Sequence, residues 1–90
     1  MARIIITLID SNQTFAYDLE VPTDLEYEAL LDDIVQTIIS YNPDLTYQPT
    51  RCRLHIPKLG RMMQNGETPE SVGLWNGDYL SIVEERPNYV

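Results

Sequence analysis

The residue types that most often carry chemistry are scarce in this chain. Its 90 residues include one cysteine, Cys52, and one histidine, His55. Both fall within residues 51–56, where polar and apolar residues alternate in the pattern of a half-buried strand. Because residues an odd number of positions apart point to opposite faces of a strand, these two are not expected to form a thiol–imidazole nucleophile pair. The sequence therefore predicts no catalytic site.

Metal and cofactor sites are not expected either. A single cysteine, a single histidine and carboxylates without the spacing of a calcium loop do not make up a ligand set. The glycines are Gly60, Gly66, Gly73 and Gly77, and their separations are those of turns rather than of a phosphate-binding loop. We predict turns at these positions.

The chain is strongly acidic, with fourteen acidic residues against six basic ones and a formal net charge of −8. Such a charge repels phosphate backbones, so nucleic acid is not expected as a partner. The lone Cys52 cannot form an internal disulfide, which fits a reducing compartment. The longest apolar stretch, residues 4–9, is far shorter than the ~20 residues that span a bilayer. We expect a cytoplasmic protein without direct membrane insertion.

Hydrophobic periodicity predicts the first half of the chain as a β-hairpin followed by a helix. A β-branched run at residues 3–9 and an alternating run at residues 15–21 indicate the two strands. Apolar residues at helical spacing then predict a helix from Glu26 to Ser40. Thr23 and Glu26 have the spacing of a capping box at its start.

Short strands are predicted for the second half, at residues 51–56, 61–63 and 79–84. One short helical turn, capped by Thr68, is expected before the last of them. The order ββαββ, short helix, β is that of an α+β fold with one helix packed on a mixed sheet. The predicted core consists of Ile4, Ile6, Leu19, Leu30, Ile34, Ile38, Leu54, Ile56, Leu80 and Ile82.

This order of elements resembles the ubiquitin-like β-grasp family. Residues 60–68 resemble the ubiquitin segment from the turn after its third strand to its short helix. The run Gly-Leu-Trp-Asn-Gly-Asp-Tyr-Leu at residues 73–80 is similar to an ending found in the EsaB/YukD proteins of type VII secretion and in the N-terminal domain of their EccD membrane component. The resemblance implies a ubiquitin-like domain at residues 1–86 and a tail at residues 87–90.

Conjugation of the ubiquitin type is not expected from these residues. A covalent modifier needs a flexible tail that ends in Gly-Gly, whereas residues 86–90 read Arg-Pro-Asn-Tyr-Val. Lys58 is the only lysine, so polymers built through side-chain amines have almost no substrate. We expect a module that binds other proteins without a covalent bond, as a monomer or weak dimer.

Strand alternation also predicts what the sheet presents on the face that the helix leaves open. The expected protein-binding residues there are Ile5, Arg53, His55, Tyr79 and Val83, beside Thr7 and Ser81. Apolar and basic groups together suit an interface with an apolar centre and a polar surround. An ordinary half-exposed sheet face is the alternative.

Trp75 is a further candidate, between an apolar residue and the Asn76-Gly77 turn. A partly exposed tryptophan is a favoured interface anchor. The alternative is that its ring covers the edge of its own core.

Charged residues are segregated along the chain. Half of the acidic residues lie between positions 18 and 33, and four of the six basic ones between positions 51 and 61. We expect an acidic side on the hairpin and helix and a basic side on the third and fourth strands. Charges that only keep the domain soluble are the alternative.

The resemblance implies an accessory component of a type VII secretion system that docks on the ATPase or membrane-embedded parts of that system. Two alternatives stay open. Residues 82–85, Ile-Val-Glu-Glu, are similar to the ending of the small β-grasp subunit of toluene monooxygenase, which implies an auxiliary subunit of a bacterial multicomponent monooxygenase. The other alternative is the ubiquitin-like domain of a larger EccD-like membrane protein.

Overall fold

Five strands and one helix form the part of the protein that the computed structural model describes, which is residues 2–10, 15–44 and 51–84. Their order confirms the predicted α+β architecture. The bounds are β1 Arg3–Asp10, β2 Ala16–Pro22, α1 Tyr27–Tyr41, β3 Cys52–Ile56, β4 Arg61–Met62 and β5 Tyr79–Glu84. The tail predicted at residues 87–90 lies outside the described residues.

All five strands belong to one mixed sheet, in the order β2-β1-β5-β3-β4. Strand β1 pairs antiparallel with β2 and parallel with β5, whereas β3 pairs antiparallel with both β5 and β4. A parallel pair cannot be joined by a tight turn, and the chain from β2 to β4, including the helix, lies between β1 and β5 in sequence. The two edge strands are β2 and β4.

Helix α1 covers one face of the sheet with an apolar stripe. Asp32, Asp33 and Gln36 lie on its other side and are exposed, as the periodicity predicts. No helix in the described ranges is long and apolar enough to cross a membrane. The buried residues of α1 recur at helical spacing: Tyr27, Leu30, Leu31, Ile34, Val35 and Ile38.

The hydrophobic core lies between α1 and the sheet. Every residue of the predicted core is buried, from Ile4 in β1 to Ile82 in β5. Burying one such aliphatic side chain contributes ~1.5–3 kcal/mol to folding. The turns after β4 also supply core side chains, because Met63, Val72 and Leu74 are each at most 7 % exposed.

The start of α1 differs from the prediction, because the capping box does not form. The helix begins at Tyr27 with Glu26 as its N-cap, and no side chain caps it. The Thr23 hydroxyl donates instead to the carbonyl of Ala2, at 3.3 Å. The Tyr27 amide donates to the Glu67 carbonyl at 2.8 Å. A loop distant in sequence therefore supplies the acceptor for one of the free amides at the start of the helix.

The short helical turn predicted after Thr68 is a series of hydrogen-bonded turns across residues 69–73. The Thr68 hydroxyl accepts from the Ser71 amide at 3.1 Å, as a cap would. The Ser71 hydroxyl in turn donates to the Thr68 carbonyl at 3.0 Å, and such local bonds compete with a regular helix. The fourth strand is also one residue shorter than predicted and ends at Met62.

Candidate functional site

The face of the sheet opposite α1 brings together most of the predicted binding residues. His55 in β3 pairs with Ser81 in β5, and Arg53 pairs with Val83. Tyr79, on the same face of β5, pairs with Thr7 of β1. This surface, called here the open sheet face, consists of Ile5, Thr7, Ile9, Arg53, His55, Tyr79, Ser81 and Val83.

Exposure on the open sheet face is uneven. Ile5 and Tyr79 are both 52 % exposed, which is high for large apolar or aromatic side chains on a sheet. Arg53 is exposed, and His55 and Val83 are half-buried. Ser81 was predicted to turn outward, but it is only 8 % exposed because a small side chain at the middle of a sheet is covered by its larger neighbours. The accessible apolar surface is therefore centred on Ile5 and Tyr79.

One end of this face contains residues that were not predicted as binding residues. Ile9, Phe15, Ala16, Pro57 and Tyr79 line a shallow depression of about 420 Å³ there. Ile9 lies on the same face of β1 as Ile5, so the alternation along the strand was enough to predict it. Pro57 could not, because it adjoins Tyr79 only through the β3–β5 register, which links residues far apart in sequence.

Trp75 lies in a different place from the other predicted binding residues. It borders a groove with Ala2, Ile4 and Leu74, and Ile4 points to the core side of β1 rather than to the open sheet face. Trp75 is 70 % exposed, so most of its surface faces away from the core although the ring borders the core residues Ile4 and Leu74.

Hydrogen bonds hold the loop that carries Trp75. The Asp78 carboxylate accepts from the Trp75 amide at 2.8 Å. The Asn76 side-chain oxygen accepts from the Ile5 amide at 2.8 Å, and the Gly77 amide donates to the Ile5 carbonyl at 2.9 Å. These contacts attach the loop to β1, so Trp75 is presented on fixed backbone.

Lys58 joins the two ends of the same loop. Its ammonium group donates to the Gly73 carbonyl at 2.7 Å and to the Asp78 carboxylate at 3.1 Å. The pKa of Asp78 lies below its ordinary value, first because of the hydrogen bond from the Trp75 amide and then because of Lys58, with desolvation opposing the shift. The positive charge predicted for this part of the surface is therefore neutralised locally.

The basic side predicted for β3 and β4 is weakened further at Arg61. Its guanidinium makes two hydrogen bonds to the Glu67 carboxylate, at 2.9 and 2.8 Å. These bonds, together with one from the Gln64 amide, lower the pKa of Glu67 to about 2. Arg53 and His55 place basic groups on the open sheet face itself.

Acidic residues occupy the other edge of that face. Asp18 in β2 accepts from the Thr7 hydroxyl at 2.8 Å. Glu20 lies 3.8 Å from the guanidinium of Arg3. The predicted segregation of charge is therefore found only in part: on the open sheet face, acidic groups lie on β2 and basic groups on β3, whereas Lys58 and Arg61 are paired with carboxylates.

Cys52 and His55 lie on opposite sides of β3. The thiol side chain is 4 % exposed and faces the core, whereas the imidazole faces the open sheet face. Among the described residues, no group of three or more histidines, cysteines and carboxylates could hold a metal ion. The thiol and the imidazole therefore do not form a nucleophile pair, as the alternation along β3 predicts.

No family model matches the chain, and no curated protein is similar to it in sequence. Among solved structures, it is similar to the ubiquitin of Caldiarchaeum subterraneum, with a TM-score of 0.70 at 19 % identity over 98 % of this chain and 100 % of that one. It is also similar to the ubiquitin-like domain of the Mycobacterium tuberculosis type VII secretion protein ECCD1, with a TM-score of 0.73 at 18 % identity over 93 % and 100 %. A third is the ubiquitin-like domain of Plasmodium falciparum Dsk2, with a TM-score of 0.73 at 11 % identity over 93 % and 100 %. The chain has the ubiquitin-like β-grasp fold.

Proposed function

We propose that this protein is a non-catalytic module that binds another protein through the open sheet face. The observation that carries the proposal is the exposure of Ile5 and Tyr79, each 52 %, on paired strands beside Arg53 and His55. An apolar centre on rigid backbone, with charged groups around it, is the usual composition of a moderate protein interface. No cofactor and no metal take part.

We further propose that the partner belongs to a type VII secretion system and is its ATPase or a membrane-embedded component. The support is the resemblance of residues 73–80 to the ending shared by EsaB/YukD proteins and EccD domains. The similar fold of the ECCD1 domain is compatible with this role. In this proposal the module acts in the cytoplasm, as an accessory component without reaction chemistry of its own.

Affinity capture from the native host tests both parts of the proposal. The baits are the wild-type chain, Tyr79→Ala on the open sheet face, and Asp33→Lys on the exposed side of α1 as a matched surface control. We expect the wild type and Asp33→Lys to enrich type VII ATPase or membrane proteins, and Tyr79→Ala to enrich them far less.

Two results would overturn the proposal. Enrichment of hydroxylase subunits would identify the protein as an auxiliary monooxygenase subunit. Equal enrichment by Tyr79→Ala and the wild type, with loss in Asp33→Lys, would place the binding surface on the helix side.

A further inference from the structure

A second surface on this molecule has the form of a small apolar binding groove. It encloses about 180 Å³ and is called here the Trp75 groove. A cavity of ~150 Å³ is enough to hold a benzene ring, so the groove has room for one large apolar side chain. Its walls include Ala2, Ile4, Thr23, Glu70, Leu74 and Trp75.

The exposed indole at the rim of this groove is held in place before any partner arrives. The backbone on both sides of Trp75 is fixed, by Lys58 at the Gly73 carbonyl and by Asn76 and Gly77 at β1. Little conformational freedom of the backbone is then lost on binding. A large aromatic side chain that is 70 % exposed on fixed backbone is a strong candidate for an interface anchor.

The segments that flank the groove carry acidic residues and no basic ones. Residues 23–28 read Thr-Asp-Leu-Glu-Tyr-Glu, and residues 67–75 read Glu-Thr-Pro-Glu-Ser-Val-Gly-Leu-Trp. The Glu70 amide donates to the Thr23 carbonyl at 3.0 Å, which holds the two segments side by side. Asp24, Glu26, Glu28 and Glu70 are the exposed acidic residues of these two segments, and Glu70 lines the groove itself.

Neighbouring basic residues do not offset this charge. Arg3 lies in β1 between the wall residues Ala2 and Ile4, but its side chain points to the opposite face of the strand. Its guanidinium lies there 3.8 Å from the Glu20 carboxylate. Lys58 reaches the groove wall at the Gly73 carbonyl, 2.7 Å away, and its charge is paired there with Asp78. The groove therefore combines apolar walls and an indole with Glu70 and with flanking segments that carry only acidic charges.

We propose that the Trp75 groove binds a short basic segment of a partner protein. One apolar side chain of that segment enters the groove, and flanking arginines or lysines face Glu70 and the indole. A second copy of this chain is disfavoured as the occupant, because each copy carries a net charge of −8 and the groove is lined by Glu70. The site is additional to the open sheet face and does not depend on it.

Short peptides of defined charge test the groove on the 90-residue chain. The probes are three acetylated and amidated pentapeptides, Gly-Arg-Leu-Arg-Gly, Gly-Glu-Leu-Glu-Gly and Gly-Arg-Gly-Arg-Gly. Trp75 is the only tryptophan, so its fluorescence and its indole N–H resonance report on the groove directly. Amide resonances of Leu74 and Glu70 map the contact.

We expect the arginine–leucine peptide to shift the Trp75 emission to shorter wavelength and to perturb those resonances. Gly-Arg-Gly-Arg-Gly, which lacks the apolar side chain, should bind about tenfold more weakly than Gly-Arg-Leu-Arg-Gly. The glutamate peptide should bind at least about threefold more weakly, a difference that shrinks as salt is added.

Variants separate this site from the open sheet face. Trp75→Ala should weaken binding of the arginine–leucine peptide about tenfold or more, as expected of an anchor residue. Glu70→Lys should weaken binding of this peptide about threefold or more, whereas Tyr79→Ala should leave its affinity unchanged. Both groove residues are exposed, so these variants are expected to fold, and their unfolding midpoints check that they do.

Three results would overturn the proposal. These are no response of Trp75 to any peptide, equal affinities for Gly-Glu-Leu-Glu-Gly and Gly-Arg-Leu-Arg-Gly, or loss of peptide binding in Tyr79→Ala. The two proposals fail separately. Tyr79→Ala should impair capture of the partner only, and Trp75→Ala should impair peptide binding only.

Discussion

At the scale of single residues, Glu67 connects three parts of the structure. Its carboxylate receives two hydrogen bonds from Arg61 and one from the Gln64 amide, at 2.7 to 2.9 Å. Its carbonyl accepts from the Tyr27 amide and so completes the first turn of α1. The ion pair therefore positions the loop that replaces a helix cap.

Replacing Glu67 by Gln should destabilise the fold in a pH-dependent way. The folded-state pKa of Glu67, about 2, lies below the ordinary value of 4.5. The ionised carboxylate therefore stabilises the folded state fully above pH 4.5, and this contribution is lost as the pH falls toward 2. Urea unfolding of the wild type and Glu67→Gln should show a gap in midpoint at pH 7 that narrows through this window. A gap that stays constant down to pH 2 would contradict the assignment.

Gly77 tests the geometry of the Trp75 loop. Its φ is +90°, in the left-handed region, and a Cβ added there would have nothing within 4 Å. Gly77→Ala should therefore cost ~1–2 kcal/mol through backbone strain alone. Gly77→Asn, which tolerates this region better, should cost less. Equal midpoints for the glycine, alanine and asparagine proteins in denaturant would contradict this account.

At the scale of elements, the sequence was most informative where periodicity decides the outcome. The apolar stripe of α1 and the alternation in β3 correctly separated buried from exposed residues, because both depend only on local spacing. The capping box predicted at the start of α1 was wrong because Thr23 and the Tyr27 amide form hydrogen bonds with residues distant in sequence. Local spacing holds no information about such partners.

The candidate site was predictable to a similar extent. Alternation placed Ile5, Arg53, His55, Tyr79 and Val83 on one face, since each strand has a fixed period of two. It could not show that Trp75 lies elsewhere, because that residue belongs to a loop without a period. Its position depends on hydrogen bonds to β1, more than sixty residues away in sequence.

Ile34 tests the packing of α1 on the sheet. It is 1 % exposed and lies in the middle of the buried stripe. Ile34→Ala should lower the free energy of unfolding by ~2–5 kcal/mol, from lost burial and the cavity left behind. Asp32→Ala, on the exposed side of the same helix, is the control and should change it by less than ~0.5 kcal/mol. Similar midpoints for the two variants would rule out the helix-face assignment.

At the scale of the whole molecule, the fold places two different surfaces on one small domain. The open sheet face lies opposite α1, with acidic groups toward β2 and basic groups toward β3. The Trp75 groove lies where the turns after β4 meet β1, with Thr23 and Glu70 in its walls. The two surfaces proposed as binding sites are therefore separate and differ in charge.

The central claim, that the open sheet face binds a protein partner, is tested most directly by titrating the partner captured from the host with purified variants. Tyr79→Ala and Arg53→Glu should each weaken binding by ~1–3 kcal/mol while the unfolding midpoint stays near that of the wild type. The loss at Arg53 should shrink as salt shortens the reach of electrostatic interactions below ~10 Å, whereas the loss at Tyr79 should persist. Asp33→Lys should bind normally. Normal binding by both sheet-face variants, together with loss of binding in Asp33→Lys, would contradict the claim.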